Sequence, residues 1–379
     1  MKTTHTTSSA RSPRPASQSR RTFFADAGMG VAGMALSAML HNDGYAATSK
    51  PGEPNGQLHF PAKAKSVIWL FMAGGVSHME SFDIKPALNK YAGMTYDETP
   101  YKDFIDKERI EKNLAGAGSS IPPHKQLMGL QTGWLRYGEC GLPVGNWFSH
   151  MGTCADDLAI VRSLWTVHPN HGMQLTWHTG HHVREGSKPT IGSWASYGLG
   201  SLNDQLPKFV VMGNSIGGCC GGEFGHAASY LGPHNSGVKL STDPNNPLPF
   251  VSPYGTGVTA EEQAAELDLI GQLNRAAGIE YPDDPDLRAR IRSYELAAGM
   301  QTAVPEIMNF DKETEETQSL YGLDADHSRE FGTQCLAARR LVEKGVRFVQ
   351  LYHGAGGAGT WDAHSDIKRR YDIETPKVD

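Results

Sequence analysis

The run Ser66-Val67-Ile68-Trp69-Leu70-Phe71-Met72, apolar after its first residue, leads through Ala73 into Gly74-Gly75. Strands covered on both faces carry unbroken apolar runs, so this stretch predicts a buried central strand that delivers a loop at its carboxyl end. Similar short runs at residues 158–161, 209–212 and 346–352 predict three more strands. Helical patterns lie between them at residues 260–277, 286–300 and 327–344. Thr259 is placed to cap the first of these, with Glu262 three residues on as in a capping box. Buried strands alternating with helices predict an α/β fold, a mostly parallel central sheet with helices on both faces. Functional sites in such sheets gather at the carboxyl ends of the strands. Residues 97–145 lack periodicity and are read as a surface excursion. Residues 214–253 are read as loop, opened by the cluster 217–222, Gly-Gly-Cys-Cys-Gly-Gly. No P-loop lysine follows that cluster, and plain flexibility is the preferred reading.

The N-terminus carries a different signal. Ser19-Arg20-Arg21-Thr22-Phe23-Phe24 places paired arginines before aromatics, then a glycine-rich, weakly apolar stretch over 27–40 and a small-residue site at Gly44-Tyr45-Ala46. That order reads as a twin-arginine export signal over residues 1–47, followed by a linker over 48–60 and one domain over 61–379. The expected first partner is the Tat export machinery, reading Arg20 and Arg21, and the expected location is periplasmic or extracellular. No later run is long and apolar enough for a transmembrane anchor. A net charge of −6 argues against a nucleic-acid surface. The five cysteines, Cys140, Cys154, Cys219, Cys220 and Cys335, contain no C-x-x-C pair. They are read as structural: a Cys140–Cys154 bridge or buried free thiols, with the adjacent Cys219 and Cys220 poorly placed to bridge each other.

Four constellations could carry chemistry. The first, residues 74–83, packs Ser77, His78, Glu80, Ser81 and Asp83 directly after the first strand. The second runs from His168 through Asn170 and His171 to His178, His181 and His182. There a helix over 172–179 would bring His171, His178 and His182 toward one face. The third is Gly222-Glu223-Phe224-Gly225-His226 and the fourth is Trp361-Asp362-Ala363-His364, soon after the last strand. Imidazole with carboxylate at strand ends suits a divalent metal such as zinc, manganese or calcium. The favoured ligands are His78, Asp83, Asp362 and His364, with Ser77, Glu80 and His171 as additional candidates. The rival reading has Asp83 capping a helix that starts near Lys85, and Asp362 and His364 solvated. His181 and His182 are read as surface residues.

Taken together the chain resembles the exported bacterial family called domain of unknown function 1501, of the alkaline-phosphatase and sulfatase superfamily. The resemblance rests on residues 19–24, 71–83 and Lys85-Pro86-Ala87-Leu88. It continues through residues 157–163, Pro169-Asn170-His171-Gly172, Thr179-Gly180, Gly192-Ser193-Trp194, Tyr197-Gly198-Leu199-Gly200, 346–352 and Trp361-Asp362-Ala363-His364. It implies an alkaline-phosphatase/sulfatase-like fold and, for function, a metal-dependent hydrolase of phosphate or sulfate esters acting on polysaccharide or other anionic substrates. Against catalytic sulfatases, Gly74 and Gly75 stand where paired metal-binding aspartates would be, and Asn170 stands in the nucleophile's place. Asparagine cannot form the covalent intermediate that Ser or Cys forms. The alternative is therefore a non-catalytic extracytoplasmic binding protein on a degenerate sulfatase-like fold. The resemblance also implies a further helix, strand and acidic motif beyond residue 379, so the domain is expected to be C-terminally truncated.

Overall fold

A computed structural model describes residues 63–104, 126–166, 170–243, 259–280, 285–354 and 357–379. The signal and linker readings, Arg20 and Arg21 included, lie outside these residues, as does His168. Residues 65–379 form one compact unit.

The core is a four-stranded sheet in the order β1 (Val67–Met72), β6 (Phe348–His353), β4 (Phe209–Met212) and β5 (Val238–Lys239). All three pairings are parallel. Alternation along the strands divides the core between two faces. Val210, Met212, Val349 and Leu351 point to one side, against Val304, Ile307 and Leu341 of the helices α6 (Pro285–Met308) and α8 (Arg329–Glu343). Phe209, Val211, Phe348 and Tyr352 point to the other, against Ala195 of α4 (Ile191–Leu199) and with Phe71 of β1. The expected two-sided, parallel α/β sheet is present.

Two expectations change. β1 is an edge strand, not a central one: it is flanked by β6 alone among the described residues, and Val67, Ile68 and Leu70 are 42%, 41% and 48% exposed. An apolar run reports the demand for cover but not the number of neighbouring strands. Residues 158–161 form no strand; they follow a 3₁₀ turn at Ala155–Asp157 and leave Leu158 and Val161 exposed. The fourth strand is β5, too short at two residues to show an apolar pattern.

The helix expectations hold, with α5 at Ala260–Glu280, α6 running on past Pro305 and α8 packing buried residues such as Leu336, Ala337 and Leu341. Thr259 and Glu262 cap α5 reciprocally: the Thr259 N–H donates to Glu262 Oε2 at 2.8 Å and the Glu262 N–H donates to Thr259 Oγ1 at 3.2 Å. The excursion at 97–145 contains an antiparallel hairpin, β2 (Trp134–Tyr137) with β3 (Leu142–Gly145). Val144 of β3 packs with Phe148, Trp361 and Tyr371 into a small separate core, and Tyr371 belongs to α9 (Ile367–Glu374). No described helix is long and apolar enough to cross a membrane.

Candidate metal centre

Met72 and His353 are register partners, so the loops that follow β1 and β6 leave the sheet side by side. They then interlock through glycines. A Cβ on Gly359 would sit 2.1 Å from the Ala73 carbonyl, and one on Gly74 would sit 2.5 Å from the Asp362 nitrogen. Gly74 and Gly359 have φ of +100° and +110°, open to glycine at no steric cost. The Trp361 N–H donates to Ala73 O at 3.2 Å. The Trp361 ring is buried, stacked near Phe148 and edge-on to Tyr371, and its Nε1–H donates to His353 Nδ1 at 2.9 Å. A buried tryptophan clamped on three sides fixes where the next residue, Asp362, leaves the fold.

From the other side comes α3 (Met173–Thr179), which ends at Gly180 in the left-handed conformation, as Thr179-Gly180 leads one to expect. Its Gln174 binds both loops. Gln174 Oε1 accepts from the Gly74 N–H at 2.9 Å, and Nε2 donates to Ala358 O at 2.7 Å and contacts Cys220 Sγ at 3.3 Å. Nothing in the pattern around Gln174 singled it out. Two residues before α3, His171 turns toward the same place.

His171, Asp362 and His364 meet there. His171 Nε2 lies 3.2 Å and His364 Nε2 2.7 Å from Asp362 Oδ2. One ligand atom from each of the three lies within 4.8 Å of the others, and no other such trio occurs among the described residues. The His364 side chain is 76% exposed and the Asp362 side chain 22%, so the group is open to solvent on one side. Two imidazoles and a carboxylate with an open side match the ligand count of catalytic zinc sites.

Of the four favoured ligands, Asp362 and His364 join the trio, His171 from the additional candidates completes it, and His78 and Asp83 are not part of it. His78 is exposed at the start of a 3₁₀ turn. Asp83 takes Lys85 at 2.9 Å and Arg162 at 3.6 Å. It does not cap the next helix, α1 (Ala87–Lys90), which has Pro86 at its N-cap. Ser77 and Glu80 hold the loop: the Ser77 N–H donates to the Tyr371 hydroxyl at 2.5 Å, and buried Glu80 accepts from the Gln131 N–H at 2.8 Å. Asn170 begins the turn into α3, its carbonyl accepting from the Met173 N–H at 3.0 Å, and its Oδ1 is buried without a hydrogen-bond partner.

The histidines expected on one helix face do not converge. His171 precedes α3 and His182 follows Gly180, so the helical spacing does not carry across them. His182 accepts from the Arg184 N–H at 3.0 Å, and His181 pairs with Glu185 at 3.0 Å on the surface. His178 is buried against Phe71, ring centres 4.4 Å apart, with neither ring nitrogen hydrogen-bonded. Burial, and then the neighbouring His226, push it down to about 3; burial, and then Lys239, push His226 down to about 4.

The cysteines are all free thiols, and only Cys220 is fully buried, so neither the Cys140–Cys154 bridge nor a buried set is present. Within the glycine cluster Gly217 serves close contact, since a Cβ there would sit 1.9 Å from the Gly357 carbonyl, while a Cβ on Gly218 or Gly222 would meet nothing within 4 Å.

What the fold and site define is a parallel α/β protein with a His-Asp-His group at adjoining strand ends. Residues 64–379 match the family described as protein of unknown function (DUF1501), and the chain belongs to that family. No curated protein and no solved structure matches it.

Proposed function

We propose that His171, Asp362 and His364 bind a divalent cation, and that the protein is a metal-dependent hydrolase of phosphate or sulfate esters. The observation that carries this reading is the convergence of the three side chains at the carboxyl ends of β1 and β6. Two imidazole nitrogens favour zinc or manganese over calcium, which takes oxygen ligands. When bound, such a cation polarises an ester oxygen and draws the acidity of a water toward neutrality. The chain's own part is to hold Asp362 through Trp361, hold both loops through Gln174, and leave the His364 side open to a substrate. The resemblance puts Asn170 where catalytic sulfatases have their nucleophile; an asparagine there offers no covalent route and favours the second reading, a binding protein that retains the cation without turnover.

The test uses tag-free, chelator-treated protein titrated with zinc and with manganese by calorimetry, followed by assays on aryl sulfates and phosphates. One site per chain is expected, weakened at least tenfold to a hundredfold in Asp362→Asn, since even outer-shell changes cost that much. Absent binding sinks both readings of the site as a cation centre; binding without hydrolysis leaves the binding protein.

We further propose that the protein is exported by the Tat machinery to the periplasm or beyond, on the paired Arg20-Arg21 motif. Replacing both by lysine should confine the protein to the cytoplasm; processed double-lysine protein in the periplasmic fraction would refute export by this route.

A further inference from the structure

Beside the metal centre, the loop after β4 carries two adjacent thiols that neither the family nor the cation reading employs. Cys219 is exposed and Cys220 fully buried. Their sulfurs lie 2.9 Å apart, within about 1 Å of the bonded distance of about 2.0 Å. Three features hold them in that position. Gln174 Nε2 contacts Cys220 Sγ at 3.3 Å, the Gly357 carbonyl lies 3.7 Å and 3.9 Å from the two sulfurs, and Gly221 follows at φ +113°. Adjacency alone makes the pair poorly placed to bridge, but here the two side chains bring their sulfurs together and lessen that obstacle.

We propose that Cys219 and Cys220 form a redox-active dithiol that closes into a vicinal disulfide by exchange with a small organic disulfide. The step balances. Cys219 sulfur attacks the organic disulfide and releases one thiol, leaving a mixed disulfide on Cys219. Cys220 sulfur then attacks Cys219 Sγ and releases the second thiol. Two cysteine thiols are oxidised, one organic disulfide is reduced to two thiols, and the two cysteine protons end on the released thiols. Exposure decides the order, because only Cys219 can meet a reagent from solvent. Burial, and then Cys219, push the Cys220 thiol up, which agrees with the exposed Cys219 as the first attacker. Cα atoms of neighbouring residues lie about 3.8 Å apart, less than the about 4.4 Å or more of ordinary disulfides. The closed ring is therefore strained and easily reduced, the behaviour of regulatory rather than structural bridges.

Folded protein is treated with oxidised glutathione, acid-quenched, digested and analysed by mass. The expected wild-type peptide spanning both cysteines is lighter by two hydrogens, carries no glutathione, and returns to its original mass with dithiothreitol. Cys220→Ser should trap glutathione on Cys219, while Cys219→Ser, changed only at an exposed position, should stay unmodified with an unchanged melt. Glutathione persisting on wild-type Cys219, a link from either residue to Cys140, Cys154 or Cys335, or two unreacted thiols in folded protein would each overturn the proposal.

Discussion

Gly359→Ala is expected to destabilise the protein by about 2–6 kcal/mol and to abolish the proposed cation binding at the site. Two penalties combine. A non-glycine residue held at φ +110° costs about 1–3 kcal/mol. The new methyl would also sit 2.1 Å from the Ala73 carbonyl, and a backbone group in a paired loop cannot move aside as a side chain can, so overpacking adds about 1–3 kcal/mol. Gly75→Ala is the matched control. Its φ is +88°, yet a Cβ there meets nothing within 4 Å, so it carries the conformational penalty alone. Urea unfolding of the two variants should separate them by at least about 1 kcal/mol. Equal losses would show that the interlock of the two loops contributes nothing beyond local strain.

Acid should weaken the fold well before carboxylates protonate. His178 and His226 ordinarily titrate near 6.5 and are held down to about 3 and about 4 in the folded protein. Between those values and 6.5 the unfolded chain binds protons that the folded chain refuses, so stability is full above pH 6.5 and falls as pH drops. By pH 5 the loss is about 2 kcal/mol for each histidine, at about 1.4 kcal/mol per pH unit. Replacing His178 by Phe suits its aromatic neighbours Phe71, Trp69 and Tyr352 and should flatten the slope of stability against pH. Parallel slopes for wild type and His178→Phe between pH 7 and 5 would rule out this origin.

The strands around which the sheet is built were legible from apolar stretches: Val67–Met72 and Phe209–Met212 are unbroken, and from Phe348 to Tyr352 only Gln350 is polar. Strand order was not, since Val67–Met72 reads alike whether one neighbour or two lie beside it. Residues 158–161 are apolar without a pairing partner, and β5 pairs without being an apolar run. Asp362 and His364 were legible because they follow the last strand within a dozen residues. His78 and Asp83 looked equivalent by the same rule, but two consecutive glycines at positive φ redirect the chain after β1. From there Ser77 goes to Tyr371 and Ser81 to Gly145, so the loop serves the small hairpin core instead. His171 stood only among the additional candidates, and the helical spacing that linked it to His178 does not hold, because the helix starts after it.

The pairing of β1 with β6 has a kinetic consequence. Val67 pairs with Phe348, about 280 residues later, and chain synthesis at about 5–20 residues per second separates the two by about 15–60 s. Throughout that interval the apolar run of β1 has been made but lacks the strand it pairs with. Contacts so distant in sequence also form slowly once both partners exist, because loop closure precedes any reward. During birth of the chain, then, β1 waits unpaired, and the Asp362 loop can settle on Gly74 only after that wait is over.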